Sequence, residues 1–216
     1  MKRPGHAAFS LIELLLAVAL LGGVLLALNM FVFSMGDLWG RSGDRRLFEQ
    51  HVRAVTRHVD DLFRRATLAG AIPADTAAVA PAEIRGEAGG RVTLLTFELP
   101  AGDRTLPWPE EPLPDVVCSL EAREGRGLVL YWHSRLETRF ADDPPRATVL
   151  TPFAVGLVYD YYQADTKAWR SETMLRKDNE GRWLTPGRVT LRFVHGQLKA
   201  ESTVVLPVAS GALPAF

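Results

Sequence analysis

A single cysteine, Cys118, is all that this chain of 216 residues contains, so it cannot close an intrachain disulfide. It lies in the apolar stretch Val116-Val117-Cys118-Ser119-Leu120 and reads as a small buried side chain, not a reactive thiol. Net charge is missing too. The 25 Lys plus Arg balance the 25 Asp plus Glu, which leaves nothing to favour nucleic acid as a partner. The five histidines, His6, His51, His58, His133 and His195, form no His-Glu-x-x-His or Cys/His ligand spacing. Neither a Gly-rich phosphate loop nor a nucleophile elbow occurs. Asp178-Asn179-Glu180-Gly181 lacks the full ligand pattern of a calcium loop and reads as a turn between strands. The expectation is therefore no cofactor, no metal and no enzymatic activity.

What is present is a long apolar run. Residues 14–33 are interrupted only by Asn29, and Phe9-Ser10-Leu11-Ile12-Glu13 stands just before them. At about 1.5 Å per residue such a run reaches roughly 30 Å, the hydrocarbon thickness of a bilayer. A charge at the centre of a membrane helix costs about 2.5 to 3.5 kcal/mol, so Glu13 requires an interfacial position or a partner. A secretory signal peptide has a shorter apolar core and a small-x-small cleavage site, and this run ends in Asn29-Met30-Phe31-Val32-Phe33-Ser34-Met35. A plain single-span anchor fits the length, and Lys2 and Arg3 suit a cytoplasmic start. Neither reading explains Glu13.

These residues resemble the type IV prepilins and the pseudopilins of type II secretion systems, whose signature is a short basic leader, a cut before Phe, a Glu at the fifth mature position and a long apolar helix. The resemblance implies a leader over residues 1–8, peptidase cleavage between Ala8 and Phe9, N-methylation of Phe9, and Glu13 as the fifth mature residue. Ala8 stands where the family usually has Gly. A new ammonium at Phe9 needs a counter-charge in an apolar setting. Glu13, one helical turn on, can neutralise its own amine or that of a neighbouring subunit.

Beyond the run, Gly36, Gly40 and Gly43 in a polar stretch predict a break or kink. Helical spacing then resumes: Phe48, Val52, Val55, Val59, Leu62 and Ala66 recur at four, three, four, three and four residues, one apolar stripe. Glu49 with Arg53, Asp60 with Arg64 and Asp61 with Arg65 mark the solvated face. Residues 69–90, rich in Ala, Pro and Gly, read as a loop. Short β-rich segments follow at 92–99, 116–122, 127–133, 148–150, 155–163, 189–195 and 198–206, with Gly196-Gln197 as a tight hairpin turn. The pattern predicts an α+β fold: a long N-terminal helix (9–35 for membrane and assembly, 36–66 amphipathic) on a mostly antiparallel β domain over 67–216.

Within the family, the C-terminal half looks like the J-type minor pseudopilin. The carrying residues are Val155-Gly156-Leu157-Val158-Tyr159-Asp160-Tyr161-Tyr162, Trp169 and Trp183 in turns, the Pro186-led strand, and Leu206-Pro207. Removing eight leader residues from 216 leaves 208, which suits that class. The resemblance implies a single-pass protein of the bacterial inner membrane with a periplasmic domain. Its partners would be a prepilin peptidase, the major pseudopilin and the I-type and K-type minor subunits, and its role to initiate or cap a pseudopilus. The alternatives are a minor pilin of a type IV pilus or competence system, and a membrane-tethered periplasmic enzyme. Tyr159, Tyr161 and Trp169 are the candidate partner-binding residues, because aromatics are enriched at binding hot spots.

Overall fold

The computed structural model describes residues 11–67, 78–86, 90–106, 113–140 and 142–207. Its one helix among the described residues, α1 (Leu11–Thr67), is 57 residues long. The expected break at Gly36, Gly40 and Gly43 is not there: helix runs through all three. A glycine costs a helix about 1 kcal/mol relative to alanine but keeps its amide hydrogen, so no backbone bond is lost. The chain divides into two compact units, Met1–Leu47 and Phe48–Phe216.

Among the described residues of the second unit, nine strands form two antiparallel sheets. The first contains β1 (Val79–Arg85), β2 (Arg91–Leu99), β3 (Val116–Arg123), β4 (Gly127–Ser134) and β5 (Arg146–Thr151), in that order across the sheet. The second runs β7-β6-β8-β9, with β6 (Ala154–Gln163), β7 (Ala168–Glu172), β8 (Arg188–His195) and β9 (Leu198–Val205). The chain is thus an α+β protein. All seven expected β segments are strands, and two more exist. β1 lies inside the stretch expected to be a loop. It sits at a sheet edge, where Pro81 is tolerated because its missing N–H need not face a neighbour, and it buries Val79 fully. Trp169, expected in a turn, lies in β7.

One core joins the helix to both sheets. Phe48, Val52, Val55, Val59, Leu62 and Ala66 are all buried in it, as the spacing predicts, and so is Phe63, whose ring meets Phe97 of β2 edge-on at 5.2 Å. Facing them are Leu95, Cys118 and Leu130 of the first sheet and Leu157, Leu191 and Val204 of the second. The Cys118 side chain is fully enclosed, and burial, helped by the charge of Asp103, pushes its thiol up and keeps it protonated. The solvated face carries the pairs Asp60–Arg64 at 2.8 Å and Asp61–Arg65 at 3.0 Å.

Arg65 also reaches a buried partner, Asp103, in the connection between β2 and β3. That connection turns at Gly102, where φ is +66° and any Cβ would lie 2.0 Å from the Leu113 carbonyl oxygen. Burial of the Asp103 carboxylate raises its pKa, but hydrogen bonds from the Thr105 hydroxyl and amide, together with Arg65, outweigh it and hold the group below its ordinary 3.8. A depressed carboxylate pKa stabilises the fold above the ordinary value, and that contribution disappears as the pH falls through the lowered one. Asp103→Ala is expected to cost about 1 to 3 kcal/mol at neutral pH, the half-exposed Arg65 limiting the loss, and less near pH 3. Chemical denaturation of the two proteins at both pH values measures the difference.

Candidate functional site

The most unusual surface of the molecule is the start of α1. Leu11–Met35 has a mean hydropathy of 2.7, and none of it is buried. Leu11 is 77% exposed and Phe33 76%, and the residues between are open on every side. A helix apolar all round does not belong in water; this one is long and apolar enough to cross a membrane once. Glu13 lies in its first turn, the end where the helix dipole favours a carboxylate, and is the sole charged residue of this span. Asn29 donates a side-chain N–H to the Leu25 carbonyl at 3.0 Å, a bond made within the helix. Ala8 and Phe9, the expected processing site, lie outside the described residues.

In the second unit the structure corrects the aromatic candidates. Tyr159 and Tyr161 are each only 6% exposed and belong to the core. Side chains alternate along a strand, and past the register shift at Ala154/Gly156 the odd-numbered Leu157, Tyr159 and Tyr161 of β6 are those in the core. The Tyr161 hydroxyl accepts from the Arg176 amide at 3.0 Å, and burial pushes the Tyr159 phenol up to about 12. Neither is presented to a partner. Trp169 is on the opposite face, half-buried. Its ring lies 3.9 Å from the Arg188 guanidinium, edge-on to Tyr162 at 5.3 Å, and so close over Gly187 that a Cβ there would meet it at 2.8 Å. Trp183 is likewise half-buried, with the Lys177 ammonium 4.3 Å from its ring.

The remaining polar candidates serve the fold. Asp178 accepts from the amides of Glu180 and Arg182 and from the Arg182 guanidinium, at 2.8 to 2.9 Å, which closes the turn expected at 178–181. Among the described residues no group of His, Cys, Asp and Glu side chains is placed to hold a metal ion. His51 bonds the Thr151 hydroxyl at 2.7 Å, and His195 stacks on Phe48 and lies tilted against Phe153 at 4.6 Å.

One feature escaped the sequence reading. The described residues of the segment between β4 and β5, 135–140 and 142–145, turn back over the outer face of the first sheet as a strap. Arg135 pairs with Glu98 of β2, Arg85 of β1 bonds the Asp142 carbonyl, and Phe140 packs on His133 at 4.9 Å. Beneath it lies a groove of ≈ 380 Å³ lined by Thr96, Ser119, Tyr131 and His133 among others. Ser119 is not set up as a nucleophile, since its hydroxyl is engaged with that of Thr96 at 2.8 Å. The pairs that hold the strap lie 37 and 57 residues apart, beyond any local spacing rule.

No model of a known protein family matches the chain, and no curated protein matches it. Fold and surface together define the class: an α+β domain carrying an N-terminal helix suited to a single membrane crossing.

Glu137 anchors the strap. It takes two hydrogen bonds from Arg146, at 2.6 and 2.7 Å, one from the Ser134 amide at 3.0 Å, and lies 3.2 Å from His133. Arg146 leads the causes that lower its pKa to about 2, against burial. This stabilisation is complete above the ordinary 4.5 and fades from there toward about 2. Glu137→Gln is expected to speed amide exchange across 135–145 by about 10-fold or more while leaving β3 protected. Exchange followed by mass spectrometry at neutral pH checks this.

Proposed function

We propose that this chain is a minor pseudopilin, J-like, of a type II secretion system. It is a structural subunit that is cut after Ala8, N-methylated at Phe9 and held in the inner membrane by its apolar helix, with the β-rich domain in the periplasm. One observation carries the reading: a fully exposed apolar span with one acid, Glu13, in its first turn, on a helix whose far half is seated in an antiparallel α+β domain. A membrane anchor needs only the apolar span. A carboxylate four residues from the amine that cleavage would create gives the span a second use, in which helix meets helix and each charge finds its opposite in a low dielectric. The subunit then leaves lipid for a helical bundle without refolding its domain, because among the described residues the domain's core uses α1 from Phe48 on. The partners in this reading are the I-type and K-type minor subunits and the major pseudopilin.

The reading is tested on the protein extracted from membranes. Mass spectrometry is expected to find methylated Phe9 as the first residue, and Glu13→Gln is expected to leave the domain's melting temperature unchanged while abolishing crosslinks to other pilin-like subunits. An intact Met1 in the membrane-extracted chain, or full crosslinking without the carboxylate, contradicts it.

A further inference from the structure

Asn29 stands in the apolar span with its hydrogen bonding incomplete. A carboxamide has two N–H donors and a carbonyl acceptor, and one donor is used, on the Leu25 carbonyl at 3.0 Å. The other donor and the acceptor meet no partner among the described residues. Met35, where the span ends, is six residues further on, so Asn29 lies about 9 Å inside it. So short a side chain does not reach the interface from there. In water the missing bonds come from solvent, but hydrocarbon supplies none, and an unmet polar group there is costly.

The position of Asn29 picks out one face of the helix. Seven residues back is Gly22 and seven more is Leu15, while Leu11, Val18, Leu25 and Val32 fill the row beside them. This alternation of fours and threes is the seam of a two-stranded, left-handed coil, with Leu15, Gly22 and Asn29 at one core position and the Leu and Val residues at the other. Any such row in this run would be apolar; Asn29 singles out this one. The face is open: Val18, Leu25 and Val32 are exposed, and a Cβ on Gly22 would meet nothing within 4 Å.

We propose that the span of α1 pairs along this seam with that of a second copy, parallel and in register, with the two Asn29 carboxamides bonded to each other. A carboxamide is complementary to itself: the N–H of each meets the carbonyl of the other. A second copy crossing the same membrane in the same direction brings its Asn29 to the same depth, and a two-fold axis along the membrane normal relates the two. A single Asn at such a core position fixes register and favours two strands. Between membrane helices, where lipid removes the hydrophobic drive, polar side-chain bonds and small residues such as Gly22 hold the pair together. Glu13 falls at the outer position of the repeat, away from the seam, which therefore makes no use of it. The pairing rests on the membrane crossing and stands independently of the secretion reading.

The test uses the purified full chain in vesicles of phosphatidylethanolamine and phosphatidylglycerol, so that a second copy is the one protein available. With helix axes about 8 to 10 Å apart, Leu25 and its copy have Cα atoms about 4 to 6 Å apart, within disulfide reach. Leu20, on the outer side, lies about 13 to 15 Å from its copy. Cys118 is buried and does not compete. Mild oxidation is expected to link Leu25→Cys chains into dimers and to leave Leu20→Cys chains monomeric. Adding Asn29→Leu to Leu25→Cys is expected to lower the dimer yield at least about threefold, whereas Asn29→Gln, which keeps a carboxamide, retains most of it. Equal linking at 25 and 20, an undiminished yield with Asn29→Leu, a loss as large with Gln as with Leu, or no Leu25→Cys dimer would overturn the pairing.

Discussion

The second unit depends on one burial event: the stripe from Phe48 to Ala66 on α1, laid against the inner faces of both sheets. Without it, each sheet would offer a bare apolar face, Leu95 and Leu130 on one, Leu191 and Val204 on the other. A sheet hydrophobic on one side must bury that side against another element. The two sheets also meet each other in the same core, Leu157 and Tyr159 of β6 sharing it with Leu120 and Leu130. The Arg65–Asp103 pair at its end pins the long β2–β3 connection to the same helix and so closes the core beside Cys118.

The same helix is apolar twice, in two different ways. From Phe48 onward the apolar residues recur at three and four, leaving a wet face of Asp60, Asp61, Arg64 and Arg65. Before Met35 they cover the whole circumference and all stay exposed. A stripe solves the problem of packing on one sheet surface, and a full sleeve solves that of being surrounded. Lipid and a bundle of like helices both surround. Glu13 is the one charge of that sleeve, in its first turn, and Asn29 turns a side-chain N–H back on the Leu25 carbonyl.

Much of this was legible from the chain. The 3.6-residue period of the stripe and the alternating β segments are local signals, and Phe48 through Ala66 all proved to be core. What failed did so for identifiable reasons. Pro81 and its Ala and Gly neighbours signal a loop, yet an edge strand tolerates such a composition. The glycines at 36, 40 and 43 weaken a helix without stopping it. Tyr159 and Tyr161 read as binding aromatics because composition says nothing about which face of a strand looks inward; one register step would have exposed them. The strap over the first sheet was invisible, since Glu98–Arg135 and Arg85–Asp142 join residues that only the fold makes neighbours. The expected processing site at Ala8 and Phe9 lies outside the described residues.

The central claim, that the stripe of α1 from Phe48 to Ala66 is interior while its other described face is not, is open to a direct comparison on the full chain in detergent micelles. Leu62 is fully buried and Leu47 is 65% exposed. Denaturant unfolding followed by tryptophan fluorescence is expected to show Leu62→Ala losing about 2 to 5 kcal/mol and Leu47→Ala changing stability by less than about 0.5. Equal losses at the two positions would contradict the account.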